Sequence, residues 1–369
     1  MSKDQGRAKR HTKSINLALQ GGGSHGAFTW GVLDRMFEQD ALWVEGISGT
    51  SAGAMNAVVA AQGMYDAGAA GAREALENFW RAVSVAGQAS PLKRTPLDVM
   101  LGSWSLDTSP GFAMMDLMSR MASPYDLNPL DYNPLRDLVD DFIDFRKVAN
   151  CTDLHIFISA TNVETGRSRV FRGKEINLDV VMASACLPTM FKAVEIEGVP
   201  YWDGGFMGNP VLFPFIDHSP SSDILIVQIN PLKRTGTPRR AREIQNRVNE
   251  ITFNASLLRD LRTIDLIHRL IEDGALSKDE YRVMNMHMID GCDDMLALDA
   301  SSKLSSEWAF LIHLRDLGRS YADRWLKANF DKIEMESTLD LRELFGDFGA
   351  PSRGNAVELR SRQEQANEA

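Results

Sequence analysis

The sequence predicts an α/β protein with a mostly parallel sheet, because short apolar runs alternate with helical segments. A strand at Ile15–Leu19 precedes a helix at Gly26–Phe37, and a strand at Val44–Ser48 precedes a helix at Ala52–Ala61. Strand–helix–strand units of this length place successive strands in parallel and pack their helices on the sheet. Each of the first two strands also ends in a glycine-rich turn, so the two turns meet at one edge of the sheet.

The middle of the chain is less regular. It contains a helix near Ala72–Val83 and a methionine-rich run at Phe112–Met121. That run is either core helix or, given the adaptability of methionine, the lining of an acyl groove or lid. Further predicted elements are strands at Leu154–Ala160, Arg169–Phe171, Asp223–Ile229 and Tyr281–Ile289, a hairpin at Val194–Tyr201 and a helix at Asp179–Cys186.

Beyond residue 230 the sequence becomes mainly helical. Thr237 with Pro238 predicts a helix start, and a repeat of apolar residues predicts one buried face on that helix. The repeat consists of Ile244, Val248, Ile251, Ala255 and Leu258. A second apolar face extends from Trp308 to Trp325.

Composition limits the function classes. The net charge of −10 argues against nucleic-acid binding, and three cysteines without disulfide or metal spacing indicate a reducing compartment. No run approaches the length of a membrane span, so we expect a cytoplasmic protein. Two basic clusters, at residues 3–13 and 233–247, are either solubilising surface or a contact with an anionic membrane or lipid granule.

Ser51 is the first candidate for chemistry. It lies in Gly49-Thr50-Ser51-Ala52-Gly53, between a predicted strand and an alanine-rich helix. In a G-x-S-x-G elbow, the flanking glycines allow a tight turn that exposes the serine hydroxyl as a nucleophile. The helix that follows directs its positive end toward the developing negative charge.

The first glycine turn has two interpretations. Gln20-Gly21-Gly22-Gly23-Ser24-His25-Gly26 matches the dinucleotide pattern G-x-G-x-x-G, with Glu45 about twenty residues later. However, Glu45 lies inside a strand that leads to Ser51, whereas a ribose-binding carboxylate ends its strand. The alternative, which we favour, is an oxyanion hole whose backbone N–H groups face Ser51 across the sheet edge.

A base for Ser51 is harder to find. None of the seven histidines has a distinctive motif, although His287 occupies the position that an α/β-hydrolase histidine would take. Asp203 is more distinctive, because it lies in the turn Tyr201-Trp202-Asp203-Gly204-Gly205. A carboxylate on such a turn can approach Ser51 and accept its proton directly.

These motifs together resemble the patatin-like phospholipases. The glycine loop at 21–26, Gly-x-Ser-x-Gly at 49–53 and Asp-Gly-Gly at 203–205 occur in the family's order, and the segment Ala183–Phe191 is also similar. The resemblance implies a three-layer α/β/α fold and a Ser–Asp dyad that needs no histidine, metal ion or cofactor. It makes Ser51 the nucleophile and Asp203 the general base. The implied oxyanion hole is Gly21, Gly22, Gly23, Ser24, His25 and Gly26, and Gly49, Gly53, Gly204 and Gly205 shape the other two motifs.

The resemblance predicts a lipid acyl hydrolase acting on a lipid or fatty-acyl ester. A thioesterase, a transacylase, a storage-polyester hydrolase and a non-catalytic membrane or granule protein are the alternatives. One residue departs from the family: His25 stands where Arg or Lys is usual. A protonated His25 would supply a cation beside the oxyanion hole in a mildly acidic window. The alternative is that His25 merely packs at the start of the helix and that its charge is irrelevant.

The expected organisation has four segments. They are a basic tail at 1–14, a patatin-like catalytic domain at 15–218, a C-terminal extension at 219–349 and a disordered tail at 350–369. The strand near 223–229 is expected to complete the core before the extension becomes helical.

Overall fold

All eight strands of the described chain join one sheet. The computed structural model describes residues 11–345, so the predicted disordered tail and residues 1–10 of the basic tail lie outside the described residues. The strands are β1 (Lys13–Leu19), β2 (Leu42–Gly49), β3 (His155–Asn162), β4 (Ser168–Arg172), β5 (Val194–Ile196), β6 (Val199–Asp203), β7 (Asp223–Gln228) and β8 (Asn285–Asp290).

The helices connect these strands and form the C-terminal region. They are α1 (Gly26–Phe37), α2 (Ala52–Ala86), α3 (Pro96–Met100), α4 (Pro110–Met121), α5 (Pro124–Leu127), α6 (Pro134–Phe142), α7 (Phe145–Asn150), α8 (Leu178–Ser184), α9 (Phe213–His218), α10 (Ala241–Glu272), α11 (Cys292–Leu296), α12 (Trp308–Asn329) and α13 (Leu341–Phe345). Helix α2 contains both predicted helices, joined at a kink where Ala67 and Gly68 leave helical geometry.

The sheet has the strand order β5-β6-β3-β2-β1-β7-β8, and β4 also pairs with β3. The five strands from β3 to β8 in this order are parallel, whereas β4, β5 and β6 form the antiparallel part. Two strands from beyond residue 218 therefore lie in the same sheet as the strands that precede the serine and glycine turns.

Helices cover both faces of the sheet, which gives the expected three layers. On β1, Leu17 and Leu19 face one core and Ala18 faces the other, as strand alternation requires. The first core contains α1, α2, α8 and α12. The second core contains α9, α10 and α13, so the helices of the C-terminal region contribute to both layers.

Two expectations for the helical regions are wrong. Helix α10 begins at Ala241, not at Pro238, because the Glu243 carboxylate accepts the amides of Arg239 and Arg240 and closes the first turn. Its predicted buried face is largely exposed, since Ile244, Val248 and Ile251 are each about half exposed. The buried positions are Leu257, Leu261 and Ile264 instead, because the second half of α10 packs on the sheet.

The methionine-rich helix α4 is also exposed. It has no buried residue, and Met114 and Met121 are 61% and 76% exposed. Core packing, one of the alternatives that the sequence left open, is therefore wrong for this helix. The cavity described below is also lined by other residues, so α4 does not form an acyl groove there.

Candidate active site

Ser51 occupies a strained turn between β2 and α2. Its φ of 54° and ψ of −120° are unusual for a residue with a side chain. The turn closes because residue 49 is glycine: a Cβ there would collide with the backbone of Gly53. The conformation leaves Ser51 half-buried at the N-terminus of α2, with its side chain on a cavity.

Ser184, which no sequence motif marked as functional, holds this turn in place. The backbone N–H of Ser51 donates to Ser184 Oγ at 3.0 Å. Ser184 is fully buried at the end of α8, within the Ala183–Phe191 segment. Thr50, next to Ser51, is held by hydrogen bonds of 2.7 Å to Ser159 Oγ and to the carbonyl oxygen of Gly208. The elbow is thus fixed by residues more than a hundred positions away.

Asp203 lies at the end of β6 and lines the same cavity as Ser51. It is 1% exposed, and its Oδ1 accepts the amide of Gly205 at 2.7 Å. Its Oδ2 accepts no well-aligned hydrogen bond from the described residues, although the Ser51 hydroxyl is close enough to affect the carboxyl group. Burial raises the pKa of Asp203 to about 7, although the Gly205 amide and the Ser51 hydroxyl oppose the rise. The carboxyl group therefore has the burial and the free oxygen that a proton acceptor needs.

The glycine loop packs directly on the serine. A Cβ at Gly21 would lie 2.7 Å from Ser51 Cβ, so this position requires glycine. Three amides are already bonded: Gly21 donates to Asn209 Oδ1, His25 to the carbonyl of Gly22, and Gly26 to the preceding turn.

The amides of Gly22, Gly23 and Ser24 have no hydrogen-bond partner within the described chain, and neither does that of Ala52. These four N–H groups are the candidates for binding a developing oxyanion. The amides of Gly21, His25 and Gly26 serve the architecture of the loop instead.

His25 is not a cation in this structure. It is 3% exposed, its Nε2 lies 2.8 Å from Ser302 Oγ, and its ring packs edge-on against Phe310. Burial, followed by the positive charge of Lys303, holds the pKa of His25 well below its ordinary value. The mildly acidic window that depended on a protonated His25 is therefore wrong.

The cavity has a volume of about 220 Å³. It lies between loops that precede residue 218 and the C-terminal region. Ser51, Asp203 and the loop at Gly21–Gly23 line one part of it. The rest is lined mainly by apolar residues, namely Leu187, Met190, Ile229, Phe253, Met295, Leu298 and Leu304, and by the polar residues Asn230, Arg234, Asn246, Asn249, Glu250, Asp299 and Lys303. Leu187 and Met190 belong to the Ala183–Phe191 segment, whereas no sequence pattern placed the residues from beyond residue 228 at the site.

His287 lies at a different place. It is buried on β8, where its Nε2 lies 2.9 Å from Asp223 Oδ1 and its Nδ1 lies 2.9 Å from Thr338 Oγ1. Asp223 is the first residue of β7, whereas Ser51 follows the carboxyl end of β2. The histidine is therefore at the opposite edge of the sheet and cannot reach the serine.

Comparison with known proteins identifies the family. The model for patatin-like phospholipases matches residues 17–216, which is more than half of the chain. The chain belongs to this family. Because the chain belongs to this family, lipid ester hydrolysis is the activity that the comparison supports. The matched residues include the glycine loop, so this loop belongs to the patatin-like fold and not to a dinucleotide site. No curated protein matches the chain.

Several solved structures show distant similarity to this chain. VipD from Legionella pneumophila is 15% identical, with a TM-score of 0.41 over 86% of this chain and 68% of its own. The type III effector ExoU is 16% identical, with a TM-score of 0.33 over 98% of this chain and 64% of its own. ExoU in complex with SpcU from Pseudomonas aeruginosa is 14% identical, with a TM-score of 0.34 over 97% of this chain and 62% of its own. The chain thus spans about two thirds of the length of these proteins.

Among the side chains that the structure describes, no group of three or more His, Cys, Asp or Glu is arranged to hold a metal ion. No helix among residues 11–345 is both long and apolar enough to cross a membrane.

Proposed function

We propose that this protein is a serine lipid acyl hydrolase in which Ser51 and Asp203 form a catalytic dyad. The observation that carries the proposal is their convergence on one cavity: a serine in a strained turn, a buried carboxyl group with a free oxygen, and unpartnered amides from the glycine loop. Nucleophile, proton acceptor and oxyanion donors are the groups that acyl transfer requires.

The reaction follows from these roles. Ser51 Oγ attacks the ester carbonyl carbon while Asp203 takes the hydroxyl proton. The carbonyl oxygen becomes an oxyanion, which the amides of Gly22, Gly23, Ser24 or Ala52 stabilise at the positive end of α2. Asp203 returns the proton to the leaving alcohol. It then accepts a proton from water, which attacks the acyl-enzyme carbonyl. As the bond to Ser51 Oγ breaks, Asp203 returns this proton to Ser51 Oγ and the fatty acid is released.

The dyad is tested by Ser51→Ala, Asp203→Asn and the double variant. Each single variant is expected to lose about 10²–10⁴-fold or more in kcat on a short-chain p-nitrophenyl ester while remaining folded by circular dichroism. The double variant is expected to be little worse than either single one, because the members of one catalytic unit are strongly non-additive. Losses that multiply would contradict a dyad.

Labelling with a fluorophosphonate probe separates a hydrolase from a binding protein. Wild type is expected to be labelled once, at Ser51, and Ser51→Ala is expected to show no labelling. Ser119→Ala is the matched control, because Ser119 lies on α4 and bonds its own helix backbone. Unchanged labelling of Ser51→Ala would remove Ser51 from the mechanism.

We further propose that the protein docks on an anionic lipid surface through α4 and α10. The exposed apolar residues of α10 lie on the face of the helix opposite to Asn249, Glu250 and Phe253, which line the cavity. Arg242 joins the two helices, since it donates to the carbonyl of Asp107 at 3.1 Å and its guanidinium lies 5.6 Å from the Phe112 ring centre. Apolar side chains beside arginines suit the interface of an anionic bilayer.

Co-sedimentation with vesicles tests the surface. Ile251→Glu is expected to reduce binding to vesicles that contain phosphatidylglycerol, without reducing hydrolysis of a monomeric ester. Leu266→Glu, which changes an equally exposed residue at the far end of α10, is the control. Equal binding by wild type and Ile251→Glu would remove this surface from the proposal.

A further inference from the structure

A turn from the C-terminal region forms one wall of the active-site cavity. Residues Ala300–Leu304 form a 3-10 helix that packs on the glycine loop. The carbonyl oxygen of Lys303 occupies the space where a side chain at Gly23 would begin, and Ser302 contacts the ring of His25. The side chain of Lys303 is therefore placed beside the candidate oxyanion loop.

The ammonium group of Lys303 is held but not neutralised. Its Nζ donates to Asn230 Oδ1 at 2.7 Å. Lys303 forms none of the ion pairs found in the described part of the chain, although Glu250 is near enough to favour its charged form. Asn230 in turn donates to the carbonyl of Gly21 at 2.8 Å, which links Lys303 to the loop. An ammonium has three donors, so this geometry leaves two for another acceptor.

Apart from Asp203, the other charged side chains at the cavity, unlike Lys303, form ion pairs or are exposed to solvent. Arg234 donates to Glu250 Oε1 at 2.8 Å, and Arg247, just behind the wall, also binds Glu250. His25 is neutral, and Asp203 is the carboxyl group of the candidate dyad. Asp299 is exposed. Arg234 and Arg247 share one glutamate, and Lys303 has no carboxylate within ion-pairing distance. This side of the cavity therefore has an excess of positive charge.

Burial lowers the pKa of Lys303 to about 8, with Glu250 opposing and Arg234 reinforcing the shift. The partly desolvated ammonium gains more from an anionic partner than an exposed lysine does.

We infer that Lys303 binds an anionic group of the substrate, a phosphate or a carboxylate, and so selects anionic lipid esters over neutral ones. This inference rests on the proposed function, because the bound group belongs to a molecule whose ester lies at Ser51. The apolar residues of the same cavity fit the acyl chain of such a substrate. Selectivity would then come from the C-terminal region, whereas the chemistry comes from the motifs before residue 218.

The test compares three soluble esters below their critical micelle concentrations, using the full chain. They are p-nitrophenyl butyrate, which is neutral, p-nitrophenyl hemiadipate, which carries a carboxylate, and lysophosphatidic acid, which carries a phosphate. The variants are Lys303→Met, Lys303→Arg and the control Lys278→Met, which removes an exposed charge outside the cavity. The readout is the ratio of kcat/KM for each anionic ester to that for the neutral ester.

Lys303→Met is expected to lower this ratio about tenfold or more, mainly through KM, whereas Lys303→Arg and Lys278→Met are expected to retain it. The ester with the larger drop identifies phosphate or carboxylate as the bound group. An unchanged ratio in Lys303→Met, or equal losses on all three esters, would overturn the inference. Absence of any Ser51-dependent hydrolysis of the neutral ester by wild type would instead contradict the proposed function.

A measurement on wild type keeps the inference testable if Lys303→Met does not fold. The preference for the anionic esters is expected to decline as the pH rises through about 8, because Lys303 loses its proton there. Lys303→Arg is expected to keep the preference to pH 10, since guanidinium stays charged. A wild-type preference that is constant from pH 7 to 10 would exclude Lys303 as the binding group.

Discussion

Asp203 and Asp223 are two buried aspartates of one sheet, and their surroundings differ. Asp223 begins β7 and has every oxygen occupied: Oδ1 binds His287 and the amide of Glu334, and Oδ2 accepts from Asn285. Asp203 ends β6, receives one amide, and its Oδ2 accepts no well-aligned hydrogen bond in the described chain. The fully bonded aspartate is suited to hold elements together. The partly bonded one is suited to accept a proton, at a cost in stability.

The largest expected effect concerns the pH dependence of activity. Because the pKa of Asp203 is raised to about 7, the ionised base is lost as the pH falls below 7. For a neutral ester, kcat/KM is expected to fall about tenfold per pH unit, and about a hundredfold at pH 5 relative to the plateau. A rate profile between pH 4.5 and 9 checks this. A plateau that extends down to pH 5 would show that Asp203 is not the titrating base.

The second effect is a gain in stability when the free carboxyl group is removed. The folded-state pKa of Asp203 lies above its unfolded value, so the folded protein favours the protonated form. The contribution of this protonated carboxyl group to the free energy of unfolding is fully present below about pH 4. It is lost as the pH rises through 7. Asp203→Asn is therefore expected to be more stable than wild type by about 2–4 kcal/mol at pH 8.5, with little difference at pH 4. Urea unfolding at both pH values measures this.

The same substitution at the other aspartate is expected to have the opposite effect. Asp223→Asn replaces an acceptor oxygen with a donor beside His287, Asn285 and the Glu334 amide, and is expected to lower the free energy of unfolding by about 1–3 kcal/mol. The kcat of the folded fraction should equal that of wild type. If Asp223→Asn lost activity without losing stability, the division between a structural and a catalytic aspartate would be wrong.

The smallest effect is expected at Ser184. Ser184→Ala removes the acceptor of the Ser51 amide, so the elbow loses one restraint while the dyad stays intact. We expect kcat to fall about threefold to tenfold and KM to change little, since about 1 kcal/mol is typical of one hydrogen bond. Ser84→Ala, at a buried serine on α2 outside the cavity, is the control. Equal kcat and KM values for Ser184→Ala and Ser84→Ala would show that Ser184 contributes only to packing and not to the geometry of the elbow.

The sequence by itself determined the first half of the fold and singled out Ser51 and Asp203 as the candidate dyad. The serine elbow and the glycine loop are local, because strand, turn and helix follow one another within about ten residues. A short βαβ crossover then places both turns at one sheet edge. The Asp-Gly-Gly turn could be placed with them because it resembles a motif of the family.

Tertiary structure decided everything that depends on residues distant in sequence. The charge of His25 could not be inferred from its position, because it is set by burial against Ser302, Phe310 and Lys303. The apolar repeat at the start of α10 predicted a buried face, yet periodicity does not reveal what a face packs against. Lys303 and Asn230 had no motif, and they line the cavity because strand β7 and the turn after α11 fold back onto the glycine loop. Local patterns identified the candidate reacting groups, whereas long-range packing set their surroundings.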